Sequence, residues 1–248
     1  MDAVRFSHLR AYGRSAAHGH HARTAAETDP SYAMERGTAV HALIFGNKRV
    51  LGYPGAQRRG KEYDAFAAAN DGAEILTAAE FAKAERMADA VRQCKLAEPW
   101  MRGNTEQRLS FDWLGMPCRV TPDVKGDGFL TELKTAATAD PERFKWHALR
   151  MCYHAQLRFQ EYGAGKVADH MIVCVESAEP YPVTVFRIEP RALEAADKML
   201  HLWAERLKGC EQSKQFPPYA QSVVPLDVPE DEEELIFNSD GSLNLEDA

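Results

Sequence analysis

Thr121-Pro122-Asp123 and, nine residues after the aspartate, Glu132-Leu133-Lys134 are the residues of this chain best placed to do chemistry. Two carboxylates brought close together can hold a hard cation such as Mg²⁺ or Mn²⁺ through oxygen. A lysine two residues beyond the second can orient or deprotonate a water. The combination describes a metal-dependent centre for phosphodiester hydrolysis. The same residues also suit a surface hairpin with an ion pair between neighbouring strands, so the short pattern is weak by itself.

The elements around the pattern have to bring its parts together. Gly115-Met116-Pro117 reads as a turn and Cys118 to Val124 alternates as a strand. Lys125-Gly126-Asp127-Gly128 is a tight glycine-rich turn, and Phe129 to Thr135 is the returning strand. Successive strand side chains face opposite ways, so Glu132 and Lys134 share a face while Leu133 points to the core. Upstream, Ser31 to Phe45 forms a helix with Met34, Val40, Leu43 and Ile44 on its apolar side, and His41 sits in it four residues after Gly37. Glu106 opens a strand running to Trp113. Downstream, Pro141 to Tyr162 reads as one helix. It carries Tyr153 and Gln156 on the same face, and Gln160 extends that face by a turn.

In this order the segments resemble the branch of PD-(D/E)xK nucleases that holds the RecE-type exonucleases (exodeoxyribonuclease VIII-like). Lambda-type exonucleases, RecB-type nuclease domains and CRISPR-adaptation nucleases are its relatives. Phe6-Ser7-His8-Leu9-Arg10-Ala11-Tyr12 with Ser15-Ala16-Ala17-His18 is similar to the opening Ser-x-Leu…Ser-Pro-Ala-His segment of phage RecE-like proteins. The likeness runs from about residue 6 to 208. It implies an α/β fold, a restriction-endonuclease-like core with a mixed central sheet flanked by helices. It also implies Mg²⁺, for which Mn²⁺ can substitute, held by His41, Glu106, Asp123, Glu132 and the main-chain carbonyl of Leu133. Lys134 would position or activate the attacking water, and Gln156 and Tyr153 would complete the catalytic set. Relatives carry Gln-x-x-x-Tyr where this chain has Gln156-Leu157-Arg158-Phe159-Gln160, so glutamine stands in the tyrosine position. The implied activity is digestion of one strand of linear double-stranded DNA from an end, 5′→3′. The 3′ single-stranded overhang would then serve a strand-annealing protein in a phage or prophage setting, with a ring-shaped homo-oligomer by analogy. An endonuclease, a single-strand exonuclease and a non-catalytic DNA-binding protein on the same fold stay open.

Composition bounds the rest. A chain of 248 residues can bury a substantial core as one unit, and residues 1–224 are expected to form a single domain. No apolar stretch approaches the ~20 residues that span a bilayer, and no signal-peptide core is visible, so a cytoplasmic protein off the membrane is expected. The five cysteines (94, 118, 152, 174, 210) have no close pair. Neither a disulfide framework, a zinc site nor the four-cysteine pattern of an iron–sulfur cluster is expected, only free and mostly buried thiols. The net charge of −7 divides unevenly, because nine acidic residues and no Lys or Arg lie from Asp227 onward. The remainder holds 30 basic against 28 acidic side chains, which permits a basic groove without demonstrating one. Residues 225–248 therefore read as an acidic, disordered tail.

Further elements are expected around this centre. Residues 1 to 30 mix a short helix with a polar loop holding His18, His20 and His21, and residues 46 to 76 are loop-rich. Thr77-Ala78-Ala79-Glu80 is a capping box that opens a helix to about Leu96. Ala168 to Glu176 and Val183 to Ile188 are strands, and Pro190 to Lys208 closes the chain as an amphipathic helix. Arg119, Lys145, Arg150 and Arg158 are candidates for DNA phosphate contacts.

Overall fold

The computed structural model describes residues 3–26, 31–55 and 57–226, so the acidic run expected in the tail lies outside the described residues. Helices α1 (Phe6–Arg14), α2 (Ala16–Thr24) and α3 (Tyr32–Phe45) come first. They are followed by β1 (Val50–Tyr53), α4 (Lys61–Ala69), β2 (Glu74–Thr77) and α5 (Ala78–Gln93). Strands β3 (Asn104–Thr105), β4 (Leu109–Trp113), β5 (Met116–Val120), β6 (Val124–Lys125) and β7 (Phe129–Ala136) come next. Helices α6 (Pro141–Arg150) and α7 (Tyr153–Ala164), strands β8 (Asp169–Glu176) and β9 (Val183–Arg187), and α8 (Pro190–Ser213) complete the described elements.

The central sheet has the order β3-β6-β7-β8-β9, and only the β7–β8 pair within it is parallel. It is the mixed sheet flanked by helices that the sequence suggests. Both faces of β7 and β8 are covered, which is why β8 is apolar almost throughout. Leu133, Val173 and Val175 pack with Val40 of α3 and Met87 of α5. Leu130, Ile172 and Cys174, on the opposite face, pack with Phe144 of α6 and Leu157 of α7. A third apolar cluster joins Leu9 and Tyr12 of α1 to Phe159 of α7 and to Leu200 and Leu207 of α8.

Local chemistry explains several boundaries. Ser31 accepts the Met34 N–H at the start of α3, and Gly46, at φ 67°, closes that helix in the left-handed region. Thr77 and Glu80 form the expected reciprocal capping box on α5. Gly126 N–H bonds to Phe129 O (3.0 Å), so the glycine-rich turn falls where it was expected.

Five expectations are corrected. The strand expected from Cys118 to Val124 is broken at Thr121-Pro122-Asp123, and β5 pairs with β4 outside the central sheet. Extending the β6–β7 register would set Pro122 opposite Leu133, and proline has no N–H to pair there. The strand expected from Glu106 begins at Leu109, because Glu106 sits at φ 52° in the left-handed region. The helix expected from Pro141 to Tyr162 is two helices, separated at Cys152 with φ 59°. Residues 46 to 76 hold β1, α4 and β2, whose parallel β1–β2 pair carries too little alternation to be read from pattern. His18, His20 and His21 lie on α2 rather than in a loop. His18 Nδ1 bonds to Ser15 Oγ (2.7 Å), and the His20 ring stacks on Phe216.

Candidate active site

The break at Pro122 builds the site. With no strand partner opposite it, the Leu133 N–H is taken by the side chain of Asp123, whose Oδ2 accepts it at 2.7 Å. That leaves Oδ1 free to face the His41 ring, 3.6 Å from Nδ1. Glu106 is brought alongside by backbone. Its N–H bonds to the Asp123 carbonyl (3.2 Å), and its left-handed φ turns the side chain so that Oε1 lies 3.9 Å from His41 Nδ1. Such a conformation costs about 1–3 kcal/mol, a cost found at sites whose surroundings hold it in place.

His41 arrives from the other layer. A Cβ on Gly37 would sit 3.3 Å from Thr135 Oγ1, so glycine here lets α3 approach β7 closely. One turn later His41 Nε2 meets the Leu133 carbonyl at 3.0 Å. A carbonyl can only accept, so Nε2 carries the proton of that bond and Nδ1 faces the carboxylates. Ligand atoms of His41, Glu106 and Asp123 lie within 4.8 Å of one another. One imidazole and two carboxylates make a donor set suited to a hard or borderline divalent cation. Asp123 shows the same demand for positive charge. Burial, then the neighbouring Glu132, push its carboxyl up to about 7 against the pull of His41 and Lys134. Burial works against a charge on His41, yet Asp123 and Glu106 together raise its pKa.

On the opposite face of β7 the Glu132 carboxylate is already paired, though Gln160 Oε1 is buried without a partner. Glu132 is 2 % exposed, and both its oxygens are used. Oε1 accepts from Gln160 Nε2 (2.5 Å), while Oε2 accepts from Gln156 Nε2 (2.7 Å) and Lys134 Nζ (2.5 Å). Lys134 also donates to Gln156 Oε1 (3.3 Å), so each end of that amide has a partner. Burial disfavours the Lys134 charge, but Glu132 and Asp123 hold its pKa above the usual value. Tyr153 places its ring 4.8 Å from Lys134 Nζ and turns its hydroxyl to His147 Nε2 (3.4 Å). Burial raises that phenol. Glu132, expected among the metal ligands, is thus engaged with Lys134 and the glutamines rather than grouped with His41, Glu106 and Asp123. Gln160 is the residue the pattern undervalued, because glutamine stands where relatives carry tyrosine.

Lys134, Gln156, Gln160 and Tyr153 line a cleft of about 800 Å³. Arg5, Arg10, Arg14, Arg108 and Arg119 complete its wall. Among the described residues no carboxylate pairs with any of these five. Of the basic residues expected along a DNA path, Arg119 is in this wall. Lys145 and Arg150 stand on α6, and Lys145 pairs with Glu142. Arg158 is committed elsewhere, to Glu161 (2.5 Å) and Asp197 (3.0 Å). The other four arginines were missed as a group. The available signal was the spacing of Arg10 and Arg14, four apart on one helical face.

A fold of this kind around an acidic cluster and a buried Glu-x-Lys defines the PD-(D/E)xK class. The family described as a PDDEXK-like domain of unknown function (DUF3799) matches residues 6–224, and the chain belongs to it. It is accordingly an enzyme of the nuclease class. Among solved structures the chain is similar to one from Eubacterium rectale described as a "putative exonuclease", with a TM-score of 0.66 and 13 % identity. That match covers 92 % of this chain and 91 % of the other. An alkaline exonuclease (LHK-Exo) from Laribacter hongkongensis is matched at a TM-score of 0.41 and 13 % identity, covering 86 % and 91 % of the two chains. No curated protein matches the chain. Among the described residues no helix is long and apolar enough to cross a membrane.

Proposed function

We propose that the chain is a Mg²⁺-dependent exodeoxyribonuclease of RecE type that resects linear duplex DNA from an end, 5′→3′. The 3′ overhang it leaves would pass to a single-strand annealing protein during phage-type recombination in the cytoplasm, with the enzyme working as a ring-shaped homo-oligomer. The observation that carries the reading is the cleft. Five arginines without carboxylate partners form a wall for a polyanion, and that wall ends on Lys134 beside the acidic cluster.

His41, Glu106 and Asp123 would hold the cation, with the Leu133 carbonyl and Glu132 as further ligands once substrate is in place. The bound cation would supply Lewis-acid activation of a water and of the scissile phosphate. The chain's own groups do the rest. Lys134 is held cationic, so it orients the attacking water and offsets the negative charge that grows on the phosphate instead of acting as a base. Gln156 and Gln160 fix the Glu132 carboxylate, and Glu132 in turn fixes Lys134. The Tyr153 ring covers one side of that ammonium and shields it from water.

Duplexes labelled at the 5′ or the 3′ end, incubated beside a covalently closed circle with Mg²⁺ or with chelator, test the reading. Metal-dependent release of label from 5′ ends only, with the circle intact, is expected. Cutting of the circle would make the enzyme an endonuclease. DNA binding with no cleavage in Mg²⁺ or Mn²⁺ would make it a non-catalytic binder.

A further inference from the structure

Helix α6 follows strand β7 directly, and its two sides differ. Phe144 is buried and stacks on Phe186 of β9 at 4.7 Å between centroids, anchoring the helix to the sheet. Arg143, Trp146 and Arg150, three and then four residues apart, form a stripe on the outside. Trp146 is 67 % exposed, unusual for an indole. The stripe borders a cavity of about 610 Å³ whose wall includes Ala136 and Thr138 of the segment just past Lys134. His147 lines the same cavity and bonds to the Tyr153 hydroxyl, and the Tyr153 ring lies over Lys134. The arginine cleft and this cavity are therefore neighbours, their walls joined where Tyr153 meets His147.

We propose that this outer face of α6 is a platform for single-stranded DNA, with a base stacked on Trp146 and its flanking phosphates held by Arg143 and Arg150. The proposal deepens the nuclease reading and rests on it. Charge decides the occupant. Among the described residues neither Arg143 nor Arg150 has a carboxylate partner, while the Lys145 ammonium, 5.6 Å from the Trp146 ring centre, is paired with Glu142. An exposed aromatic flanked by unpaired cations is how sequence-tolerant single-strand sites are built. Adjacency to the cleft, through the Tyr153–His147 contact, supplies the second argument, since an enzyme that removes one strand of a duplex must guide single strand near its catalytic lysine.

The experiment uses a short fluorescein-labelled oligothymidylate in chelator, where no cleavage occurs, with wild type, Trp146→Ala and Trp146→Phe. The Ala variant should bind about tenfold more weakly, and Phe should recover most of the loss. Oligonucleotide should quench the part of the tryptophan emission that Trp146→Phe removes. Unchanged affinity in Trp146→Ala, or no quenching of that component, overturns the platform. A changed mass in solution with unchanged affinity also overturns it and makes the face a protein interface. Metal-driven digestion of duplex ends by wild type is measured separately. A platform that fails beside an active nuclease, or stands beside an inactive one, tells the two readings apart.

Discussion

The two faces of the Glu132-Leu133-Lys134 segment differ in how completely their polar groups are satisfied. On one, both oxygens of Glu132 are taken, by Gln156, Gln160 and Lys134, and only Gln160 Oε1 is left without a partner. On the other, His41, Glu106 and Asp123 converge from three distant parts of the chain, with Asp123 Oδ1 and Glu106 Oε1 left 3.6 and 3.9 Å from one imidazole nitrogen. Two carboxylates with only a histidine between them form an arrangement that a cation completes. The first face holds a positive charge in place, and under the proposed function the second would receive one. Transition-state charge can be met from both sides only if each is in place before substrate arrives.

Substitutions can break this comparison one side at a time. Asp123→Asn should be the most damaging, lowering turnover by at least about 10³-fold, because the second face loses a charge while the amide oxygen can still accept the Leu133 N–H. Single-turnover digestion of a labelled duplex would show it. Lys134→Ala should cost about 10²-fold in the same assay and leave cation affinity near wild type. Equal loss of affinity in that variant would mean that the two faces are one functional unit. Gln160→Ala leaves Glu132 Oε1 buried without its donor. It should lower stability by about 1–3 kcal/mol in denaturant unfolding, with a smaller loss of turnover than Lys134→Ala.

Acidity sharpens the contrast by a smaller effect. In the metal-free folded chain Asp123 takes up its proton near pH 7, against an ordinary value of 3.8. Between those values the folded state holds the extra proton, so stability falls as pH rises. His41 acts in the same sense. Its raised pKa gives stability that is present below about 6.5 and is lost as pH rises through the folded value. His147, His154 and His170, whose pKa values burial lowers, act in the opposite sense, so the contribution of this face is read as the difference between wild type and Asp123→Asn. Metal-free wild type should lose stability relative to Asp123→Asn between pH 5 and pH 7.5, and an unchanged difference between the two would contradict the crowding of charge on this face.

Much of strand β7 was legible because its physics is local. Alternation along Phe129 to Thr135 fixed the faces of Glu132, Leu133 and Lys134, and Leu133 is indeed fully buried between α3 and α5. The Gly37–His41 spacing also had a local cause, since a small residue must precede the histidine by one turn for α3 to approach β7. Backbone breaks were not legible. Cys152 enters the left-handed region without glycine or asparagine to announce it, and it swings α7 so that Gln156 and Gln160 meet Glu132. Glu106 was placed in a strand for the same reason. Its position depends on an N–H bonded to Asp123, 17 residues away in the chain. The arginine wall gathers α1 and the β4–β5 region, and nothing local joins Arg10 to Arg119.

Titration of metal-free protein with Mn²⁺ tests the central claim most directly, comparing wild type with Asp123→Asn, Glu106→Gln, His41→Ala and Lys134→Ala. Weaker binding in the first three, with affinity kept in Lys134→Ala, is the result predicted. Wild-type affinity in Asp123→Asn and Glu106→Gln would show that the cation, if one binds, is held elsewhere.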